Sequence, residues 1–433
     1  MSFSESSFYA LAEELFPICR SITGNGVRQT LQIISQHIPL TVLEIPTGTE
    51  VFDWVVPREW NVRDAYLIDP KGNKLAEFAK NNLHLLNYSA PYTGKVTLEE
   101  LQQHLFSLPE MPGAIPYVTS YFEDRWGFCM PHKVREQLHD GIYEVVVDTE
   151  LKSGSLTLAD LVLPGKVKEE ILISTYTCHP SMGNNEVSGM TVATMIAKWL
   201  MQKKDRHYTY RIVFSPETIG PVAYMATRDR LQHLKSKVIA AFNMTCVGDD
   251  RAYSLLPTKC GDKAIDKLAR HAMGLMCPGY IEYSFCNDRG SDECQYSSPG
   301  VGLPMVSIMR TRYGSYPEYH TSLDNMNVIS GEGMKGAFDV VCRCLDAYEF
   351  GALRLFRSKV YCEPFFSKHH LRSTIGAYDI DVKAIRKLSN IMMYADGEHT
   401  LVDLAEMMRV PVWDLYDSFQ AVFDCDLIEF CDE

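Results

Sequence analysis

The sequence predicts an α/β fold, in which a largely parallel sheet carries helices on both faces. From about Glu169 onward, apolar strand-like runs alternate with helical runs, and this alternation is typical of parallel sheets. Strands are predicted at EEILISTYTCH, YTYRIVFSPE, KVIAAFNMTCVG and PMVSIMRT. Helices are predicted at SGMTVATMIAKWLMQ and GEGMKGAFDVVCRCLDAYEFG. Ligands of such sheets bind beyond the carboxyl ends of the strands, so we expect the functional site there.

Two other kinds of segment precede this α/β part. The first 40 residues predict helices, because SFYALAEELF and GVRQTLQIISQHI repeat apolar positions every three or four residues. Residues 49–164 instead contain short alternating runs such as YEVVVDTEL and SGSLTLADLVL, which are typical of strands. We therefore predict one domain built from residues 1–48 and 165–358, with a β-rich domain inserted at residues 49–164.

The C-terminal residues 375–433 predict a separate winged helix-turn-helix. DVKAIRKLSNIMMYAD, HTLVDLAEMMR and VPVWDLYDSFQAVFDCD are predicted helices, and LIEF is a predicted strand. From Asp379 onward the segment has 13 acidic and four basic residues, a balance that repels a phosphate backbone. We expect this domain to bind protein, with homo-oligomerisation as one outcome, rather than DNA.

Composition restricts the class of protein further. A chain of 433 residues is long enough for two or three domains. Its net charge of −13 disfavours nucleic acid and anionic membranes as partners. No apolar run reaches the roughly 18 residues that cross a bilayer, and the first residues do not resemble a secretion signal. The 13 cysteines fit buried reduced thiols, so we expect a cytoplasmic protein.

Two segments with chemically useful side chains follow predicted strands. His179 comes directly after the first strand, where an imidazole can bind a metal or simply cap the strand end. Glu186, in the Gly/Asn/Ser loop that follows, is near a helix start, where an acidic residue also favours the helix dipole. Glu217 ends the next strand and is either a general base tuned by burial or a capping or ion-paired residue.

A third segment contains two acidic residues and a second histidine. Asp292 and Glu293 lie in a turn-rich loop. His320 is followed four residues later by Asp324. Metal-bound imidazoles usually donate their second N–H to a carboxylate or carbonyl, so Asp324 is expected to orient His320.

In combination, these motifs resemble a known family. The order His-Pro-Ser, N-N-E-V-S-G, P-E-T-I-G, S-D-E and Y-H-T-S-L-D resembles zinc-dependent exopeptidases of the clan MH type, the group that contains bacterial aminopeptidases, glutamate carboxypeptidase II and glutaminyl cyclase. More closely, the chain resembles aminopeptidase-like proteins of bacterial polysaccharide biosynthesis, which share a start similar to LFPICRSITGNG at residues 15–26. The resemblance covers nearly the whole chain. It implies a three-layer zinc-peptidase-like core, an inserted β domain and a C-terminal winged helix.

The resemblance also implies roles for individual residues. His179 and His320 match the family's metal-binding histidines, Glu217 matches its general base, and Asp292 matches an aspartate that tunes the site near the substrate.

Three metal-ligand positions of the two-metal enzymes are changed in this chain. Asn185, Thr218 and Thr245 occupy positions at which those enzymes have Asp, Glu and Asp. An amide or a hydroxyl lacks the anionic oxygen that Zn²⁺ favours, so we expect one zinc ion. Glu186 is our predicted carboxylate ligand beside His179 and His320, while Glu217 is an alternative ligand that would leave the base unassigned.

These expectations define a function and its rivals. We expect a zinc-dependent, aminopeptidase-like hydrolase that cleaves an amide bond in a peptide-like or amino-acyl small-molecule conjugate. A cyclase or transferase on the same scaffold is one alternative. A binding protein that has lost catalysis is another, because three ligands are changed. Trp54, Trp60 and Trp126 of the β-rich segment are candidates for reaching the cleft.

Overall fold

The computed structural model describes residues 3–227, 229–371 and 382–431. The chain divides into two compact units. The first is formed by Met1–Cys260 and Ile281–Phe338, and the second by Gly261–Tyr280 and Asp339–Glu433. Of the C-terminal domain predicted at 375–433, residues 375–381 and 432–433 lie outside the described residues.

An eight-stranded sheet forms the centre of the first unit. Its spatial order is Thr41–Pro46, Ser155–Leu163, Thr209–Ser215, Glu170–Tyr176, Val238–Asn243, Met305–Met309, Ser254–Leu256 and Ile281–Glu282. The four middle strands are parallel to one another, as are the last two. Antiparallel pairing joins the first strand to the second, the second to the third, and the sixth to the seventh. The predicted α/β fold with a mostly parallel sheet is confirmed.

The strand Ser155–Leu163 lies in a different sheet from the one that the sequence predicts. Its residues were predicted within the β-rich segment, but they pair with Thr209–Ser215 in the central sheet. Alternation of polar and apolar residues identifies a strand, yet it does not tell which sheet the strand joins. In contrast, all seven residues of Glu170–Tyr176 are buried, as expected for a strand covered on both faces.

Helices cover this sheet and hold its loops. Outside the β-rich segment, the helices described in the first unit are Glu5–Leu15, Asn25–Ser35, the π-helical turn Gly183–Val187, Ser188–Gln202, Ile219–Ala226, Arg230–Lys237, Phe285–Asp288 and Glu293–Tyr296. The helix Gly331–Phe350 begins in the first unit and ends in the second. Ser188–Gln202 is almost wholly buried, so the loop between Glu170–Tyr176 and this helix is anchored at both ends.

The β-rich segment forms a four-stranded antiparallel sheet in the first unit. The spatial order is Lys74–Leu75, Glu59–Ile68, Ile142–Lys152 and Tyr92–Thr97. Smaller elements are the strand pairs Glu50–Val51 with Trp54–Val55 and Leu105–Phe106 with Phe128–Cys129, the helices Leu98–Gln102 and His132–Arg135, and the 3-10 turn Asn82–His84. Leu67 and Val145 of this sheet belong to the same buried cluster as Leu158 and Val213 of the central sheet. The segment therefore shares a core with the α/β part.

The second unit contains the predicted winged helix-turn-helix. Its antiparallel sheet has the order Asp396–Thr400, Leu355–Ser358 and Ile428–Phe430. Its helices and turns are Ala264–Met276, Phe366–His369, Val382–Met393, Leu401–Met408, Val412–Leu415 and Tyr416–Asp424. A capping box between Thr400 and Asp403 begins the helix Leu401–Met408. Within the described ranges, no helix is long and apolar enough to cross a membrane.

Candidate metal and catalytic site

His179 is held in one orientation by two buried charged residues. It lies just past the strand Glu170–Tyr176, and its Nδ1 is 2.8 Å from Oε2 of Glu186. An ionised carboxylate can only accept, so Nδ1 donates and Nε2 keeps the free lone pair. Arg20 donates from Nε to the carbonyl of His179 at 3.0 Å and lies 3.4 Å from Oε1 of Glu186. Burial opposes the imidazolium, but Glu186 and Glu217 raise the pKa of His179.

Asp324 fixes the loop that carries Glu186. Its carboxylate accepts from the N–H groups of Asn184 at 2.7 Å and Asn185 at 3.0 Å, and from the hydroxyl of Tyr316 at 2.9 Å. The expectation that Asp324 orients His320 is therefore wrong. Two backbone donors of the loop were closer partners, and a sequence does not show which backbone groups approach a side chain.

Glu217 approaches the free nitrogen of His179. Its Oε2 is 3.7 Å from Nε2 of His179, and 23% of its side chain is exposed. The next residue, Thr218, has a left-handed backbone with φ of 65°, and its N–H donates to Oδ1 of Asp292 at 2.8 Å. Burial raises the pKa of the Glu217 carboxyl, while the charge of His179 opposes this shift. The turn after the strand thus places Glu217 beside a metal-competent nitrogen.

Asp292 and Glu293 are neighbours with different surroundings. Within the described ranges, Oδ2 of Asp292 is buried without a hydrogen-bond partner. Burial, followed by the charge of Glu217, raises the pKa of Asp292 well above its usual value. Glu293 accepts four hydrogen bonds, from the N–H groups of Gly290 and Ser291, the hydroxyl of Tyr313 and the amide of Asn243. Glu293 is therefore a structural group, whereas Asp292 keeps one carboxylate oxygen without such partners.

His320 brings a second imidazole to the same place. Its ring centroid is 5.2 Å from that of His179, and its Nε2 is buried with no hydrogen-bond partner among the described residues. The backbone is left-handed, with φ of 54°, and the ring stacks on Tyr319 at 3.9 Å. Burial lowers the pKa of His320 to about 3, so its imidazole is neutral, which is the form that binds metals.

His179, Glu217 and His320 line one cavity of about 610 Å³. Its polar side chains are Thr119, Cys178, His179, Glu217, Thr218 and His320, and its apolar and aromatic side chains include Ile22, Trp54, Tyr117, Tyr121, Phe122 and Ile219. Of the three tryptophans considered in the sequence, only Trp54 lines this cavity. Trp60 and Trp126 are 3% and 9% exposed and belong to the hydrophobic core.

Two of the three changed ligand positions are joined by a tyrosine. The hydroxyl of Tyr176 lies 2.9 Å from the carbonyl oxygen of Asn185, 2.7 Å from its Nδ2 and 2.5 Å from Oγ1 of Thr245. All three residues are buried. The groups that would supply a second metal site in the two-metal enzymes are here part of a neutral hydrogen-bond network.

Sequence reasoning missed Arg20, Tyr117 and Tyr121. Arg20 is fully buried and belongs to the LFPICRSITGNG motif, where an arginine between apolar residues was the available signal. The ring of Tyr117 lies 5.0 Å from His179 and 5.2 Å from His320, and its hydroxyl is 2.7 Å from that of Tyr121. Nothing in the local sequence of the β-rich segment predicts that a tyrosine would reach both histidines.

The α/β sheet, the paired histidines and the winged helix define an aminopeptidase-like protein with an added C-terminal domain. The chain belongs to the family described as domain of unknown function DUF4910, which it matches over residues 9–350. Residues 354–430 match a winged helix-turn-helix family. A protein of Clostridium acetobutylicum, described as a candidate polysaccharide biosynthesis protein with an aminopeptidase-like domain, is 41% identical over 401 residues, or 92% of this chain and 90% of the relative.

Solved structures show the same fold. A crystal structure of a candidate peptidase from Clostridium acetobutylicum is 37% identical, with a TM-score of 0.90, and covers 98% of this chain and 96% of that one. BSAP, a zinc aminopeptidase from Bacillus subtilis, has a TM-score of 0.58 at 12% identity, over 80% of this chain and 95% of that one. At that identity the likeness concerns the fold alone.

Proposed function

We propose that this chain is a zinc-dependent amide hydrolase whose single metal ion is held by His179, His320 and Glu217. The observation that carries the proposal is the buried Nε2 of His320, which has no hydrogen-bond partner in the part of the chain that the structure describes. His320 lines the same cavity as His179 and Glu217. A buried polar atom without a partner costs about 1–3 kcal/mol, a cost that a metal ion would remove. Two histidines and one glutamate are a common ligand set of catalytic zinc.

This assignment changes the expected role of Glu186. Cys178, His179 and Glu186 lie close enough to form a metal-binding group, with ligand atoms within 4.8 Å of one another. A cation there would have to displace the proton from Nδ1 of His179, and it would face the guanidinium of Arg20, which already pairs with Glu186. We therefore assign Glu186 to orienting His179 from behind, while Nε2 binds on the cavity side.

The surrounding side chains support hydrolysis. When bound, zinc supplies a Lewis acid that polarises a carbonyl group. Oδ2 of Asp292 is unpartnered, and the raised pKa of this carboxyl suits a group that takes a proton from water and returns it to a leaving amine. Thr218 holds the other oxygen of Asp292 through its backbone N–H, which fixes the carboxylate. In this assignment Asp292 is the base and Glu217 is a ligand.

The cavity favours a small substrate with a ring or an apolar group. Its volume of about 610 Å³ lies in the range typical of small-molecule sites. Trp54 and Phe122 both line it, are 36% and 55% exposed, and lie 5.9 Å apart. Because the Clostridium relative is described as a polysaccharide biosynthesis protein, we extend the proposal to a peptide-like or amino-acyl amide of a sugar precursor.

Metal content and activity of two variants test the proposal. Protein purified without added metal should hold about one equivalent of zinc, because such sites bind tightly. Glu217→Gln should lose most of this zinc, whereas Asp292→Asn should keep it and lose hydrolysis of aminoacyl anilides and N-aminoacyl sugars. Zinc below about 0.2 equivalents in the wild type would refute the metal site. If Glu217→Gln keeps its zinc but is inactive, Glu217 is the base instead.

The same reactions distinguish a hydrolase from a cyclase. Hydrolysis in H₂¹⁸O places one heavy oxygen in the acid product, and the total product mass gains one water. Cyclisation loses ammonia or water and incorporates no label. Mass spectrometry of the products therefore decides between the two reactions on the same scaffold.

A further inference from the structure

Two further cavities lie beside the segment LFPICRSITGNG. Their volumes are about 670 Å³ and 400 Å³. Cys19, Gln29 and Phe78 line both cavities, so the two cavities adjoin, and we call them together the amide groove. The catalytic cavity shares none of these three residues and receives only Ile22 from the same segment. The amide groove is therefore distinct from the catalytic cavity, and most of its contact with the LFPICRSITGNG segment is its own.

The charges of the amide groove are neutralised within the protein. Lys80 lies 2.5 Å from Glu77, Arg63 lies 2.6 Å from Asp148, and Lys152 lies 2.8 Å from Glu150. Lys80, Arg63, Lys152 and Glu150 are the charged residues known to line the two cavities. A phosphorylated or carboxylated ligand would have to compete with these ion pairs. The groove therefore favours an uncharged ligand.

The groups left to bind a ligand are mostly amides. Gln29 lines both cavities, and its side-chain amide makes no hydrogen bond within the described residues. Oδ1 of Asn82 is buried without a partner, although its Nδ2 donates to Oγ of Ser181 at 2.7 Å. An amide offers a donor and an acceptor side by side, which matches neighbouring hydroxyl groups. The half-buried ring of Phe78 lies where the cavities join and offers an apolar face.

From these observations we propose that the amide groove binds a neutral saccharide. The paired charges disfavour anions, the amides of Gln29 and Asn82 can match vicinal hydroxyls, and Phe78 can pack against the apolar face of a sugar ring. The combined volume suits more than one ring. The proposal does not depend on the chemistry of the catalytic cavity.

Binding of neutral disaccharides tests this site directly. The full chain is titrated with cellobiose, maltose and N,N′-diacetylchitobiose, and binding is followed by saturation-transfer NMR and calorimetry. At least one should bind saturably. Gln29→Ala should weaken binding about fivefold, the effect of losing roughly one hydrogen bond of 1 kcal/mol. Gln29 is exposed on the helix Asn25–Ser35, where alanine is well tolerated, so this variant is expected to fold.

Two control variants locate the binding. Gln32→Ala makes the same change at an exposed position of the same helix and should leave affinity unchanged. Trp54→Ala alters the catalytic cavity and should also leave the affinity for disaccharides unchanged. The proposal is overturned if no disaccharide binds saturably, or if Gln29→Ala binds disaccharides as tightly as the wild type does. It is also overturned if Trp54→Ala is the variant that loses binding. Tighter binding of glucose 6-phosphate and glucuronate than of the neutral sugars would overturn it as well.

Discussion

The carboxylate of Glu186 lies 2.8 Å from Nδ1 of His179, on the side of the ring opposite Nε2. The same carboxylate lies 3.4 Å from Arg20, so a buried ion pair holds the group that orients the histidine. This relationship decides which nitrogen of His179 is available to a metal. In the proposed site Glu186 is therefore a positioning residue, whereas the sequence predicted it as a ligand.

Replacing Glu186 should weaken zinc binding without removing the site. In Glu186→Gln, the amide can still contact Nδ1 but no longer fixes the proton there, so zinc affinity should fall about 10–100-fold. The stoichiometry should return to one ion per chain at saturating zinc, measured by titration against a chelating indicator. Glu170→Gln is the control, because Glu170 is also a buried, ion-paired carboxylate and lies at the other end of the same strand. Failure of Glu186→Gln to bind zinc at saturation would instead identify Glu186 as a ligand.

Tyr176 should contribute stability rather than metal affinity. Tyr176→Phe removes the hydroxyl that contacts Asn185 twice and Thr245 once. Those buried groups lose partners, so the free energy of unfolding in urea should fall by about 1–3 kcal/mol. Zinc stoichiometry should stay the same. Tyr296→Phe loses a single contact, to Ser174 at 3.2 Å, and should cost less. A change in the number of bound ions would show that this network belongs to the metal site.

The proximity of His179 and Glu217 in the fold could be predicted from the sequence. Each follows a strand, and the two strands are parallel neighbours in the central sheet. Parallel neighbours end at one edge, so periodicity and order along the chain were sufficient. The roles of the carboxylates could not be predicted in this way. Whether Glu186 faces Nδ1 or Nε2 depends on side-chain orientation within the folded loop.

Contacts between distant segments were also beyond the sequence. Arg20 reaches His179 across 159 positions, and Tyr117 reaches His320 from the β-rich segment. Asp324 lies four residues from His320 but holds Asn184 and Asn185, which are about 140 residues away. Local patterns describe helix and strand faces, whereas these contacts depend on how distant loops pack.

The ion pair between Arg28 and Glu59 should make stability depend on acid pH. The hydrogen bond from Arg28 lowers the pKa of Glu59 to about 2, against an ordinary value of 4.5. A carboxylate with a depressed pKa stabilises the fold fully above pH 4.5, and this contribution is lost as the pH falls toward 2. The urea midpoint of the wild type should therefore exceed that of Glu59→Gln at pH 6, and the gap should narrow progressively between pH 4.5 and 3. A constant gap would contradict the assignment. Lys152→Gln alters a nearby exposed ion pair, and the gap between its urea midpoint and that of the wild type should not narrow in this way.

Loss of the negative charge should change stability in opposite directions at Asp292 and Glu293. Asp292 has a buried oxygen without a partner and lies near the charge of Glu217, so its carboxylate is unfavourable in the metal-free fold. Asp292→Asn should therefore raise the melting temperature of chelator-treated protein while abolishing hydrolysis. Glu293 accepts four hydrogen bonds, and Glu293→Gln turns one acceptor oxygen into a donor that faces other donors. That variant should lose about 1–3 kcal/mol of stability. If Asp292→Asn melts lower than the wild type, Asp292 is a structural residue and the proposed base must be sought elsewhere.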